Sequence, residues 1–430
     1  MTTCLPYSPK KARLTLQNNF SLICWGLIKK TKRFGKDQNK YLNQKCWRYK
    51  MVVHWCGTGL SAIPGLKKLI MGGNNVIVWN RTISKATKAL ADVSATIHEF
   101  NINALEEQLA PEDIIVSMLP GEWHVPLAKL AISKKAHFVS SSYISPEMKD
   151  LHKAAQKSNV VLMNEIGLDP GIDHLMAHKL IEDFKSSKTI DTKTEISFLS
   201  YCGGVPKIPN DLKYKFSWSP LGVLKALKSP SRSLKDFKIF DVHRPWDAIT
   251  HYTAPLAQPE EFEVYPNRDS IPFMQQYKFD PDWTVKQFVR GTLRLNGWAE
   301  AWSEIFKEIE TLNGETGEKR LVEMSEVFWR DNAYGENEPD RVILCVELKA
   351  EKGSGVVWHK TFKMDAWGDH RGTAMARLVS NPVFFAVEAI ANKQIEFGVN
   401  AAASDPVIVD KWLKNIKELA QEFDVIDHLS

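Results

Sequence analysis

Little in this chain suits metal chemistry or an oxidising compartment. Its 430 residues hold six cysteines, Cys4, Cys24, Cys46, Cys56, Cys202 and Cys345. No pair reads C-x-x-C, and none joins a histidine at zinc spacing, so no metal site is expected. Thiols this scattered point to a reduced, cytoplasmic protein. No apolar run approaches the ~20 residues that a spanning helix needs, and no membrane partner is expected. Acid is scarce at the start: residues 1–50 set twelve Lys or Arg against Asp37 alone, a net of +11, so the chain's +5 leaves −6 for the rest. A body of that balance offers no broad basic surface to nucleic acid. Internal repeats and low-complexity tracts are also missing. What remains, 44% hydrophobic and 25% charged residues, is ordinary for a globular protein long enough for two or three domains.

Residues 1–50 are polar, basic and aperiodic. They read as a targeting peptide, a basic arm, or an extension upstream of a functional start at Met51. The third reading is favoured, because Met51 opens the first strand directly.

From Met51 the pattern becomes definite. Met51 to Cys56 is an apolar strand, followed by Gly57-Thr58-Gly59-Leu60-Ser61-Ala62, a G-x-G-x-x-A turn. Helical spacing follows from Ile63 to Met71, then a Gly-Asn turn and a second apolar strand, Val76 to Trp79. Strand, glycine turn, helix and strand make the βαβ unit that binds dinucleotides. Gly57 allows the tight turn, Gly59 lets a pyrophosphate approach the backbone, and Ala62 keeps the helix close to the strand. The second strand ends in Asn80, Arg81 and Thr82, where NAD-binding chains carry a carboxylate for the ribose. An arginine between small polar residues suits a 2′-phosphate instead, so the expected cofactor is NADP.

The βα alternation continues to about Asp173, giving a Rossmann domain over 51–175. Asn103 is expected to cap the helix that ends at Leu109. Two polar loops follow consecutive strands at the binding edge, Ser140-Ser141-Ser142-Tyr143 and Asn164 to His174. Period-two runs then appear at 194–201, 289–295 and 341–349, which read as a second, α+β domain on a mixed sheet over 176–370. The tail, 371–430, reads as helices broken at Asn381-Pro382 and packing back on the first domain.

Candidates for chemistry lie in the loops and the second sheet. Asp169 and Asp173 flank Pro170-Gly171; Asp173 reads best as a first-turn acid of the following helix, Asp169 as functional. Arg268 stands in a turn, and Arg290 and Arg294 share one face of a strand. Such arginines suit carboxylates or form salt bridges on the sheet. Cys202 is a buried spacer or a neighbour of the ligand, with no sign of reactivity.

The segments Val139 to Met148, Met163 to His174, Ser200 to Gly204, Tyr214 to Ser219, Tyr265 to Ser270 and Arg290 to Arg294 resemble those of the saccharopine dehydrogenases, the NADP-dependent, L-glutamate-forming kind. The resemblance runs from about Val52 to the C-terminus. It implies that Gly57, Gly59, Leu60, Ser61, Ala62, Asn80, Arg81, Thr82, Met118, Ser141 and Ser142 hold NADP. It implies substrate contacts from Ser142, Tyr143, Asp169, Arg268, Thr292, Leu293 and Arg294; Tyr143 and Asp169 are the polar groups expected nearest the reacting nitrogen, with Cys202 a further catalytic candidate. The implied reaction interconverts saccharopine with L-glutamate and α-aminoadipate semialdehyde by hydride transfer and imine hydrolysis, in a homodimer. The segment between Arg294 and Arg341 is shorter than the helical insertion of the fungal members. Two other readings fit the architecture: a reductase of another carboxyalkyl-amine, resembling the carboxynorspermidine dehydrogenases, and a non-catalytic NADP-binding scaffold.

Overall fold

The apolar run before the glycine turn forms β1 (Val52–Cys56), every residue of which is buried, as in a strand covered on both faces. The computed structural model describes residues 51–191 and 193–430, so the three readings of residues 1–50 lie outside the described residues. After β1 come α1 (Ile63–Met71), β2 (Asn75–Asn80), α2 (Ile83–Ala89), β3 (Thr96–Glu99), α3 (Ile102–Gln108), β4 (Ile114–Ser117), α4 (His124–Lys134), β5 (His137–Ser140), α5 (Pro146–Asp150), α6 (His152–Lys157), β6 (Val161–Met163) and α7 (Ile172–Ser186). Helix α3 is capped by Asn101, not Asn103: the Asn101 side chain accepts from the Asn103 and Ala104 amides while its own backbone is extended. Both asparagines are capping types, and only backbone geometry distinguishes them.

The second half contains β7 (Thr194–Pro206), α8 (Pro220–Leu227), β8 (Ser231–Lys235), β9 (Lys238–Val242), β10 (Thr250–Ala254), β11 (Glu260–Pro266), α9 (Pro272–Gln276), β12 (Thr284–Leu295), α10 (Trp298–Ala301), α11 (Ser303–Thr311), α12 (Gly314–Asn332), β13 (Asp340–Lys352) and β14 (Gly355–Trp367). The three period-two runs became β7, β12 and β13. Between β12 and β13, helices α10 to α12 bury Trp298, Trp302, Phe306 and Leu321 together with Tyr214 and Leu224.

The tail contains α13 (Ala374–Ala391), β15 (Gly398–Asn400), α14 (Pro406–Lys417) and β16 (Glu422–Asp427). The expected break at Asn381-Pro382 does not occur; α13 runs through it. Pro382 removes one N–H, but Ser380 Oγ and Asn381 Nδ2 donate to the Ala376 and Arg377 carbonyls, and the helix is mostly buried. Its length and apolarity would suffice to cross a membrane, yet 78% of it is buried inside this fold. The tail also adds a strand to each sheet, which its short runs had not suggested.

The first sheet is seven-stranded and parallel, in the order β15-β6-β5-β4-β1-β2-β3. The second is nine-stranded, with the path β10-β11-β12-β7-β13-β14-β16 and β8–β9 beside β12. Its neighbours are antiparallel except β12 and β7, which are parallel, so the sheet is mixed. One apolar cluster runs through both sheets, from Val53 and Trp55 through α7 to Phe198, Val342 and Leu344.

Helix α13 is clamped to α1 at Gly65. The Gly65 amide donates to Ser380 Oγ at 2.8 Å, and a Cβ on Gly65 would lie 2.0 Å from the Ser380 carbonyl oxygen. Backbone cannot yield there, so Gly65→Ala is expected to lower stability by ~1–3 kcal/mol, read by urea unfolding. His178 on α7 supplies a pH test. Burial, with His174 and Lys278 nearby, pulls its pKa down to about 3. Between the ordinary value and about 3 the unfolded chain takes up a proton that the fold refuses, so stability is full above pH ~6.5 and falls as the pH is lowered through that window. The melting temperature of His178→Phe should fall less between pH 7 and pH 4.5 than that of the unsubstituted protein; parallel curves would remove His178 from the account.

Candidate active site

The strand order reverses around β1, whose neighbours are β4 and β2, and ligands of open α/β sheets bind at that point beyond the carboxyl ends of the strands. Gly57 has φ +102°, a conformation that other residues rarely adopt, and a Cβ there would stand 2.7 Å from the Met118 carbonyl oxygen. The turn therefore presses directly on the loop after β4, where the Met118 amide donates to Cys56 O at 2.8 Å. Gly59 has open space where its Cβ would be, and Leu60 is exposed beside it. Ala62 is buried at the start of α1, and no side chain caps that helix at its N-cap. Asn80 works inside the turn: its Oδ1 accepts from the Thr58 amide at 3.1 Å and its Nδ2 donates to Thr82 O at 2.8 Å. Arg81 is exposed at the end of β2. This cradle suits a dinucleotide phosphate, and Arg81 suits a 2′-phosphate.

Across the cleft, the loops after β5 and β6 meet β12. Arg290, on β12 and 3% exposed, reaches Asp169 Oδ1 and Asp173 Oδ2, both at 2.6 Å, and the Tyr143 hydroxyl at 3.1 Å. Tyr143 donates to Asp169 Oδ1 at 2.8 Å. Burial, together with the Asp173 charge and against the pull of Arg290, pushes the Asp169 carboxyl up. Asp173 feels burial too, but His174, Arg290 and the Gly171 amide hold it below its ordinary value. Burial pushes the Tyr143 hydroxyl well up, so it stays a phenol at neutral pH. Asp173 is the first-turn acid that was expected, and it is also half of an ion pair that was not.

Behind this cluster, Phe273 stacks on His174 and faces the Arg290 guanidinium at 4.1 Å. His174 reaches Tyr277 at 2.7 Å and Glu165 at 3.2 Å. Neither Phe273 nor Tyr277 carried any signal in the sequence.

The two other candidate arginines, Arg268 and Arg294, form no ion pair among the described residues. Arg268 is exposed with its guanidinium 4.8 Å from the Tyr143 ring centre, and no ion pair reaches it among the described residues. Arg294 is 6% exposed and lies against the rings of Tyr214, Tyr265 and Trp298, at 4.9, 5.7 and 5.3 Å. Its Nε finds no hydrogen-bond partner, and no carboxylate pairs with it among the described residues. The salt-bridge reading thus holds for Arg290 and not for Arg294. Thr292 lies between them on the same face, opposite Cys202 in the parallel register. The Leu293 side chain faces away from the cluster. Strand residues alternate, so its side chain is buried in the cluster on the opposite face with Val289 and Ile343, and only its carbonyl, bonded by Arg294 Nη1, lies nearby. Cys202 is buried among Asp169, Asp173, Arg290 and Arg294, and burial pushes its thiol well up. It stands as a neutral thiol beside the cluster. Ser141 and Ser142 are half-buried in the loop after β5.

Removing Arg290 would leave two buried carboxylates without their cation. Arg290→Ala is expected to cost ~3–5 kcal/mol of stability, and Arg294→Ala clearly less, by urea unfolding at pH 7. Equal losses would show that Arg294 is also held by a hidden ion pair.

This geometry meets its counterparts among known proteins. Residues 53–163 match the saccharopine dehydrogenase NADP binding domain, and residues 167–420 the saccharopine dehydrogenase C-terminal domain. Saccharopine dehydrogenase [NADP(+), L-glutamate-forming] of Saccharomyces cerevisiae is 30% identical over 84% of this chain and 96% of its own length. The enzyme of the same name from Pyricularia oryzae is 40% identical over 57% of this chain, an alignment that spans about half (54%) of that relative. The solved apo structure of the L-Glu-forming S. cerevisiae enzyme superposes with a TM-score of 0.72 at 26% identity, covering 88% of this chain and 99% of that one. With residues 53–163 and 167–420 matched by its two domains, the chain belongs to the saccharopine dehydrogenase family and carries that family's NADP-binding domain.

Proposed function

We propose that this chain oxidises saccharopine with NADP⁺, forming L-glutamate and α-aminoadipate semialdehyde, and runs the reverse reaction when the products are in excess. One observation carries the reading: Arg268 and Arg294, which have no ion pair among the described residues, flank the Tyr143–Asp169–Arg290 cluster at the cofactor edge. Saccharopine is a secondary amine with three carboxylates, and guanidinium forks are the side chains that bind carboxylates through two bonds.

Bound NADP⁺ supplies the hydride acceptor for the carbon beside the substrate nitrogen. The chain's residues position and protonate. Asp169 Oδ1 is occupied by Tyr143 and Arg290, and Oδ2 is the atom open to a proton from the substrate nitrogen or from the water that hydrolyses the imine. Its raised pKa brings it closer to neutral pH, which suits proton exchange. Tyr143, as a phenol, orients Asp169 and does not act as a base. The wall of Phe273, Tyr143 and Tyr277 excludes water from behind the cluster.

A steady-state assay with saccharopine and NADP⁺ tests the reading against another carboxyalkyl-amine reductase and against a non-catalytic scaffold. Turnover of saccharopine is expected, with NADP⁺ preferred over NAD⁺; no turnover with intact NADPH binding would sink the substrate assignment. Arg81→Asp should weaken NADP⁺ by one to two orders of magnitude, roughly 1.5–3 kcal/mol, with NAD⁺ less affected. Equal changes in KM for both cofactors would remove Arg81 from the 2′-phosphate. Arg268→Ala and Arg294→Ala should each lower kcat/KM for saccharopine about ten- to a hundredfold and spare NADPH binding. Cytoplasmic placement forms part of the proposal, supported by Cys56, Cys202 and Cys345 remaining unbridged thiols. So does a homodimer, supported by Val322 and Trp329 standing exposed seven residues apart on α12.

A further inference from the structure

His124, the first residue of α4, joins the ends of two parallel strands. Its Nδ1 lies 2.9 Å from Ser117 Oγ at the end of β4, and its Nε2 lies 2.9 Å from Ser142 Oγ in the loop after β5. The ring is 7% exposed and packs edge-on against Phe138. Burial, against the weaker pull of Glu122, brings its pKa down to about 4, so at neutral pH it carries a single N–H.

Hydrogen-bond accounting selects which nitrogen bears it. Ser117 is fully buried, and among the described residues its hydroxyl has no second partner. If Nδ1 held the proton, the Ser117 hydroxyl would accept it and its own hydrogen would be buried unpaired, at a cost of about 1–3 kcal/mol. With Nδ1 bare, Ser117 donates to it, and Nε2–H donates to Ser142 Oγ. The Ser142 backbone is fixed as well: its amide donates to Ser140 Oγ at 3.0 Å, and its carbonyl accepts from the Glu165 amide at 3.0 Å. The Ser142 oxygen already accepts, so its remaining hydrogen is committed to an outward partner.

We propose that His124 is a positioning residue which makes Ser142 a dedicated hydrogen-bond donor to an oxygen of the bound ligand, either a substrate carboxylate or the carboxamide of the nicotinamide. The proposal rests on the function argued above, because Ser142, in the loop after β5 at the cofactor edge, directly precedes Tyr143 of the substrate cluster.

The test is a double-mutant cycle of His124→Phe, His124→Gln and Ser142→Ala in the full-length protein. Readouts are kcat, KM for saccharopine and the dissociation constant of NADPH by fluorescence, with melting temperatures as a folding control. His124→Phe should lower kcat/KM about tenfold, the size of one hydrogen bond to a charged group. His124→Gln, whose Nε2–H can reach Ser142, should recover most of it. Ser142→Ala should cost about as much alone, and adding His124→Phe to it nothing further. A shift in the saccharopine KM assigns the carboxylate, and a shift in NADPH affinity the carboxamide. Multiplying losses, a glutamine no better than phenylalanine, or an ineffective Ser142→Ala would each overturn the assignment. Should the unsubstituted enzyme be inactive on saccharopine, the parent reading fails instead, and the same cycle read on NADPH affinity decides the role of His124.

Discussion

The buried Arg290 guanidinium is the constraint on which the rest of the site depends. It projects from the second sheet and is held by Asp169 and Asp173, which stand on either side of the loop that leaves the first sheet. At this depth the cation offsets the burial cost of the carboxylates, and they offset that of the cation. The pair therefore sets the distance between the β6 loop and the face of β12. Everything else in the cleft is measured from there: Tyr143 hydrogen-bonds to the pair, Phe273 covers the guanidinium, and Cys202 fills the floor beneath.

That arrangement separates two kinds of arginine on one strand. Arg290 is spent on the protein, while Arg294, four residues on, is buried against three aromatic rings with no ion pair among the described residues, Glu263 standing opposite it in the sheet register and bonded to the Gly297 and Ala299 amides. A buried cation of the second kind costs stability unless something anionic reaches it. The two carboxylates differ in the same way. Asp173, beside His174 and the Gly171 amide, stays charged, and its charge helps to raise Asp169. Neighbouring groups whose pKa values are driven apart divide the work, one holding structure and the other exchanging protons.

The cofactor edge is organised by backbone. Gly57 presses against the Met118 carbonyl, Asn80 ties the ends of β1 and β2, and Gly65 admits α13 to within backbone contact of α1. The C-terminal segment thus braces the dinucleotide helix from behind and adds an outer strand to each sheet. The two sheets share one apolar cluster and one returning tail.

Much of this was legible in residue order. The glycine turn with a strand before it and a helix after it specified the Rossmann edge, because only that backbone path leaves amides free for phosphates. Arg81 in place of a carboxylate pointed to NADP, and period-two runs marked β7, β12 and β13, because strand side chains must alternate. The same alternation sends the Leu293 side chain to the opposite face, which leaves its backbone on the cleft side. Other features had no local signature. The partner of Arg290 lies over a hundred residues away, and sequence spacing carries no information about which distant carboxylate a strand arginine meets. Asp173 looked like a helix-start acid because it is one; only the docking of β12 made it an ion pair as well. Pro382 stayed within a helix because burial outweighed one missing hydrogen bond, and β15, three residues long, exists because β6 offers it a free edge. The chain's local chemistry determined the cofactor, the fold class and the types of group in the cleft. Their assignment as ion pair, donor or open cation was decided by packing, since a charge's role depends on what else is buried beside it.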